Sequence, residues 1–239
     1  MSLVSVIVTN YNHSQYIQQA VRAIENQTHK DIEIIIVDDC STDHSKVHLK
    51  DFEGRGHKVI RLAQNKGKWN ALNVACEAAR GSLITLQDAD DSSCKQRLEG
   101  QLEALKRTDS YHNLCLFTHC WNQEDIDKAE STMFDLKTDI LGHKEVLARV
   151  HKGWKTPGIN HYSLGDIEAH GASSLFYKQH WQMGMKFLPG NMGLRVQVAE
   201  DSDHNTRMTL LLQKTSVLLY PLYCYRRGTS TNGAWRELK

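Results

Sequence analysis

Asp88-Ala89-Asp90-Asp91 is the segment whose residue types and spacing most directly imply chemistry. It follows at once on the strand-like run Leu83-Ile84-Thr85-Leu86. Its carboxylates cannot turn into the core, where each unpaired charge would cost several kcal/mol. They must face solvent, a cation or one another. Hard oxygen donors of this kind suit Mg2+ or Mn2+, above all when substrate phosphates complete the shell. The plainer alternative is a solvated turn that caps the next helix through its dipole.

Two other acidic pairs invite the same question. Asp38-Asp39 ends the run Ile32–Val37 and leads into Cys40-Ser41-Thr42-Asp43. A carboxylate there could accept a pyrimidine N–H or a ribose hydroxyl, or it could simply open a helix. Glu200-Asp201 stands just ahead of a helix expected through Arg207–Leu211. It either decorates that helix N-terminus or supplies a general base, which contributes roughly 10²–10⁴-fold when aimed at an acceptor hydroxyl.

The elements that must position these groups are legible over the first hundred residues. Val4–Val8 is a β-branched run ending in the polar turn Thr9-Asn10-Tyr11-Asn12-His13. Tyr16, Ile17, Ala20, Val21 and Ile24 then recur at helical spacing, with Asn12 and Ser14 as candidate caps. Ile32–Val37 is the second strand, Ser45–Phe52 a weakly patterned helix, and Lys58–Ala63 a third strand. Trp69, Leu72, Cys76 and Ala79 share a helix face, with Gly81 placed as a glycine just past its end. Leu83–Leu86 is a fourth strand, Leu98, Leu102 and Leu105 mark an amphipathic helix, and Leu114–His119 a fifth strand. Trp121–Thr138 is acidic and compatible with a helix, and Lys152–Gly165 reads as loop. Ala172–Tyr177 and Leu218–Tyr225 are later strands.

Near-continuous apolar strands alternating with helices predict an α/β fold, a Rossmann-like, mostly parallel central sheet flanked by helices on both faces. Ligands of such sheets bind beyond the carboxyl ends of the strands. Thr9–Asn12, Asp38–Asp39 and Asp88–Asp91 all follow strand ends and should therefore converge on one rim. We expect one globular domain built of two halves, 1–110 with the converging strand ends and 111–239 with the less regular remainder.

Composition excludes several classes. Of 239 residues, 40% are hydrophobic and 24% charged, as in ordinary globular domains, and the net charge of +1 gives no bulk attraction to nucleic acid. Six dispersed cysteines form no CxxC pair and are expected to be reduced thiols of a cytoplasmic protein. The first strand is expected from Leu3 and no leader is expected ahead of it, and no apolar run approaches the roughly 20 residues of a membrane span. GxxxxGK[ST], GxGxxG and GxSxG are all missing, so a bound nucleotide would rely on a metal instead of a glycine nest. Thirteen histidines form no paired cluster and are expected to be surface or locally satisfied. Trp121, Trp154 and Trp181 could line a sugar subsite or pack in the core.

These motifs together resemble the inverting family 2 glycosyltransferases, which have the nucleotide-diphospho-sugar transferase (GT-A) fold. The carriers are Val4–Asn12, Ile35–Asp43, Asn65–Asn73, the DxD-like Leu86–Asp91 and the acidic pair in Ala199-Glu200-Asp201. The resemblance implies that Thr9, Tyr11 and Asp39 embrace the base and ribose. It further implies that Asp88 touches the ribose side, that Lys68 contacts the nucleotide, and that Asp90 coordinates Mn2+ or Mg2+. Asp201 would be the base that deprotonates the acceptor. Attack opposite the departing nucleoside diphosphate would invert the anomeric centre, with the metal neutralising the leaving charge.

Two departures refine the expectation. No QxxRW precedes Trp235-Arg236, which favours single-sugar transfer over processive synthesis. Many relatives carry a histidine near the C-terminus, where this chain reads Tyr225-Arg226-Arg227-Gly228-Thr229-Ser230. That leaves the third metal ligand open, with Arg226 or Arg227 as candidate positive charges for the diphosphate. The expected partners are a nucleotide-diphosphate sugar, a UDP-sugar first, and a saccharide, lipid-linked or other hydroxyl acceptor in surface polysaccharide or glycoconjugate synthesis. No nucleic acid is expected, and peripheral contact with the cytoplasmic membrane face is compatible. The alternatives are a nucleotide-sugar-binding module without turnover and a sugar-1-phosphate nucleotidyltransferase.

Overall fold

The computed structural model describes residues 2–136, 139–147, 162–163, 168–169, 171–189 and 200–229. The strands are β1 (Val4–Asn10), β2 (Ile32–Asp38), β3 (Lys58–Arg61), β4 (Leu83–Asp88), β5 (Ser92–Ser93) and β6 (His112–Cys120). They continue as β7 (Ile140–Leu141), β8 (Tyr162–Ser163), β9 (Glu168–Ala169), β10 (Leu175–Tyr177) and β11 (Thr215–Arg226). The helices named below are α1 (Ile17–Glu25), α2 (Ser45–Gly54), α3 (Lys68–Ala78), α4 (Arg97–Thr108), α5 (Gln123–Ser131), α6 (Lys178–Gln182) and α7 (Glu200–Leu212).

The sheet runs β3-β2-β1-β4-β10-β6-β11-β5. β1 to β4 are mutually parallel, as are β6 and β11, while the short β10 lies antiparallel between β4 and β6. The main strands thus end on a common edge. Alternation within β1 and β2 explains why both faces are covered. Val4, Val6, Val8, Ile34 and Ile36 pack with Ile17, Val21, Leu49, Phe52 and Leu98 of α1, α2 and α4. Ile7, Ile35 and Val37 point the other way, into the cluster that holds Ala71, Leu72, Ala75 and Cys76 of α3. This second cluster extends to Cys115, Leu218 and Tyr223, so one core includes residues from both ends of the chain.

Two local expectations, the caps of α1 and the helix-ending glycine, are corrected. Asn12 and Ser14 do not cap α1, which starts from Tyr16 without a side-chain cap. Asn12 sits at φ 57° and its Oδ1 accepts from the Thr42 N–H at 2.8 Å, while the Ser14 N–H donates to Asp43 Oδ2 at 2.8 Å. Both residues pin the β1 turn to the β2 turn. Gly81 is not a helix-ending glycine either, because α3 stops at Ala79 in extended conformation. A Cβ on Gly81 would lie 2.6 Å from the Leu3 carbonyl oxygen and 2.8 Å from the Ser5 nitrogen, so the close approach to β1 is what demands glycine. Among the histidines, His112 is fully buried, with Nε2 at 3.0 Å from Ser174 Oγ and Nδ1 at 3.2 Å from Thr215 Oγ1. Burial pushes its pKa down to about 3.

Gly81→Ala is expected to overpack against immovable backbone. That costs about 1–3 kcal/mol and lowers Tm by roughly 2–12 °C, whereas Gly54→Ala, with open space at its Cβ, leaves Tm unchanged or slightly raised. Melting followed by circular dichroism decides between them. His112 supplies a pH dependence. The unfolded chain takes up its proton below about 6.5, whereas the folded chain resists until about 3. Stability is therefore fully present above pH 6.5 and declines as pH falls through that window. Urea titrations from pH 7.5 to 5 should show this slope, and His112→Gln should reduce it, with the remainder due to His204, which burial also pushes down to about 3.

Candidate active site

The rim is assembled by strand register. Asn10 is level with Asp38, and Thr9 with Asp88, so the ends of β1, β2 and β4 stand side by side. Asp38 is consumed internally. Its Oδ1 accepts from Asn10 Nδ2 at 2.7 Å and Ser41 Oγ at 2.5 Å, and its Oδ2 from the Ser41 N–H at 3.1 Å. Asp39 is only 3% exposed and accepts the Lys66 N–H at 3.0 Å and the Gly67 N–H at 2.8 Å. Gly67 has φ +91°, a conformation that suits glycine at the entrance to α3. Asp39 thereby fixes the start of α3, whose first residue, Lys68, reaches Asp88 with its ammonium at 2.7 and 2.9 Å.

The acidic turn turns its three carboxylates toward one another. Asp88, Asp90 and Asp91 each offer a ligand oxygen within 4.8 Å of the others, the only such His, Cys, Asp or Glu group among the described residues. Each acid has its own restraint. Asp88 pairs with Lys68. Asp90 Oδ2 accepts from Thr229 Oγ1 at 2.6 Å. Asp91, 2% exposed, accepts from the Tyr223 hydroxyl at 2.9 Å and the Arg226 N–H at 2.8 Å. Burial and then the neighbouring Asp90 and Asp88 charges hold the Asp91 carboxyl well above the usual range. The donor set fits a hard divalent cation, whose charge would relieve that repulsion.

Beneath the turn lies a cation that sequence reasoning missed. Arg97 is fully buried, and its guanidinium donates to Gln87 Oε1 and Ser93 Oγ at 2.9 Å, to Thr85 Oγ1 at 2.7 Å and to the Leu86 carbonyl at 2.6 Å. It also lies over the Tyr223 ring, 5.0 Å from the centroid. The Tyr223 hydroxyl, besides donating to Asp91, accepts the Asp88 N–H at 3.2 Å. Arg97 and Tyr223 thus support both sides of the turn from below. Arg97 falls at the first position of an amphipathic helix, where an arginine ordinarily reads as solvated, and the pattern carries no signal of its burial.

The remaining expected residues divide. Thr9 is half-buried on β1, and Tyr11 is 36% exposed in the turn that follows. Arg226 is occupied: Nε donates to the Asp90 carbonyl at 3.0 Å, Nη2 to Gln19, and the guanidinium stacks 4.8 Å from the Tyr16 ring centroid. Arg227 stacks 5.4 Å from the Trp121 and 5.6 Å from the Tyr225 ring centroids. Asp201 is the second residue of α7; its side chain lies outside the described residues, as does Trp154. Trp181 is core, with Nε1 donating to Asn73 at 2.9 Å.

Known proteins share this fold. Staphylococcus aureus TarS 1–349 in complex with UDP-GlcNAc superposes with a TM-score of 0.67 at 18% identity, over 96% of this chain and 60% of that one. The mannosyltransferase PcManGT of Pyrobaculum calidifontis, in complex with GDP-Man and Mn2+, gives 0.64 at 20% identity, over 98% of this chain and 59% of that one. The fold is therefore that of the GT-A glycosyltransferases. The model described as Glycosyl transferase family 2 matches residues 5–145, and the chain belongs to that family. The putative teichuronic acid biosynthesis glycosyltransferase TuaG of Bacillus subtilis is 42% identical over 103 residues, 42% of this chain and 41% of TuaG. The chain spans about a third to a half of the length of several curated relatives it matches. Among the described residues no helix is long and apolar enough to cross a membrane.

Tyr223→Phe removes the hydroxyl that serves both Asp91 and Asp88. The variant is expected to fold, to lose about 1–3 kcal/mol in urea titration, and to bind Mn2+ more weakly in calorimetry.

Proposed function

We propose that this chain is the donor-binding and catalytic core of an inverting, metal-dependent glycosyltransferase that moves a sugar from a nucleoside diphosphate to an acceptor hydroxyl. The observation that carries the reading is the convergence of Asp88, Asp90 and Asp91 on the rim of a family 2 fold, beside Lys68 and Asp39. Asp88 and Asp90 would hold Mn2+ or Mg2+, while Asp91 is committed to Tyr223 and Arg226. A divalent cation there would neutralise charge that develops on the leaving diphosphate. The chain's own residues do the rest. Thr9, Tyr11 and the Asp39 turn receive the base and ribose, and Lys68, already charged against Asp88, swings between that carboxylate and the nucleotide. Asp201 takes the acceptor proton. Residues 1–110 serve the donor and 111–239 the acceptor.

The name of TuaG, and that of a teichoic acid poly(glycerol phosphate) polymerase of Staphylococcus epidermidis that is 30% identical over 149 residues, support a role in cell-surface polymer synthesis. A UDP-sugar is the first donor to try, since the TarS complexes contain UDP and UDP-GlcNAc.

Thermal shifts with UDP, GDP, CDP and TDP, each with and without Mn2+, test the reading. A ligand at a hundred times its dissociation constant adds roughly 2.7 kcal/mol. One diphosphate should stabilise the chain only with metal, and Asp90→Asn should abolish that shift. Asp201→Asn should retain the shift and lose transfer. Stabilisation by no diphosphate at millimolar concentration would contradict the proposal, and a shift with intact transfer in Asp201→Asn would remove the base from the mechanism.

A further inference from the structure

Trp121 is the largest exposed apolar side chain among the described residues, at 71%, and it stands immediately beyond the end of β6. β6 runs parallel to β11, and its end lies on the same rim as the acidic turn. The backbone under Trp121 is rigid. Its N–H donates to Asp125 Oδ2 at 2.8 Å, and the next residue, Asn122, caps α5 by accepting the Asp125 N–H at 2.9 Å. Packing therefore fixes the position from which this ring is presented to solvent.

Arg227 lies against it. Its backbone N–H donates to the Cys120 carbonyl at 2.9 Å, extending the β6–β11 ladder, and its guanidinium lies 5.4 Å from the Trp121 and 5.6 Å from the Tyr225 ring centroid. Its Nε–H is shielded from water and has no hydrogen-bond partner among the described residues. A shielded donor of this kind is stabilised when an acceptor arrives. The preceding residue, Arg226, is the one whose N–H holds Asp91. The stack is thus one residue along the strand from the anchor of the acidic turn.

We infer that Trp121 and Arg227 form an acceptor subsite for a saccharide that carries an anionic group. This rests on the glycosyltransferase reading above and deepens it. The indole face covers the C–H face of a sugar ring, at little entropic cost because the ring has only two torsions and its backbone is fixed. The guanidinium, held beside two aromatic rings, offers its N–H donors to a phosphate or carboxylate on the same saccharide. A neutral sugar would use the first contact and not the second.

Saturation-transfer NMR on the full chain tests this with three probes: glucose 1-phosphate, glucuronate and methyl glucoside. Saturation should reach the C–H protons of the two anionic sugars, more weakly those of methyl glucoside. Trp121→Ala should abolish transfer, and Trp121→Tyr should restore it. Arg227→Gln should weaken the anionic sugars about tenfold, the loss of one charge-assisted hydrogen bond, with methyl glucoside unchanged. A preference for glucose 1-phosphate over glucuronate names a phosphorylated acceptor, and the reverse a uronic one. No transfer to any sugar, equal transfer in Trp121→Ala, or equal affinity of the anionic sugars in Arg227→Gln would overturn the inference. UDP with Mn2+, titrated into the same wild-type samples, reports separately on the donor reading, so the two failures are distinguishable.

Discussion

Three carboxylates whose oxygens lie within 4.8 Å of one another repel, and the structure around the rim is organised to hold them there. Left alone, such a turn would splay toward water. Instead Lys68 neutralises Asp88, Thr229 restrains Asp90, and Tyr223 with the Arg226 backbone receives Asp91. None of these contacts would be worth much on an open surface, where exposed pairs contribute about 0–1 kcal/mol. Here Asp91 is buried, and removal of one partner leaves a buried polar group unsatisfied. The repulsion that remains is what a divalent cation would relieve.

The fold supplies each restraint from a different direction. β2 delivers Asp39, whose carboxylate fixes the positive-φ Gly67 and thereby aims Lys68. β4 delivers the acids, and β11 brings Tyr223, Arg226 and Thr229 back across them. α4 sends Arg97 underneath, a buried cation that is tolerable because neutral acceptors on β4 and β5 satisfy its guanidinium. Strands distant in sequence thus meet at one turn, and the parallel arrangement is what puts their ends on the same edge.

Much of this was legible in the sequence, because parallel buried strands read as apolar runs and their ends as abrupt polar clusters. β1, β2, β4 and α4 lie where period and composition put them, and Thr9, Asp39, Lys68, Asp88 and Asp90 lie on the rim that they mark. What escaped was whatever depended on contacts between distant elements. Asn12 and Ser14 look like helix caps and are staples between turns. Gly81 looks like a helix end and is a close approach to β1. Arg97 and Tyr223 have no local signature, since nothing in a helix pattern announces a buried guanidinium and nothing in a strand announces which hydroxyl reaches an aspartate 132 residues away. The strand expected over Ala172–Tyr177 is a strand only over Leu175–Tyr177, after a 3-10 turn at Gly171–Ser173, and its antiparallel insertion between β4 and β6 has no signal in the apolar run.

The most direct test is a crystal structure of the chain grown with Mn2+ and a nucleoside diphosphate, with anomalous differences recorded at the manganese edge. The account predicts one strong peak within coordination distance of Asp88 and Asp90, bridged to the diphosphate, with Asp91 still bound to Tyr223. An ion that ignores the acidic turn, or a nucleotide bound elsewhere on the sheet, would contradict it.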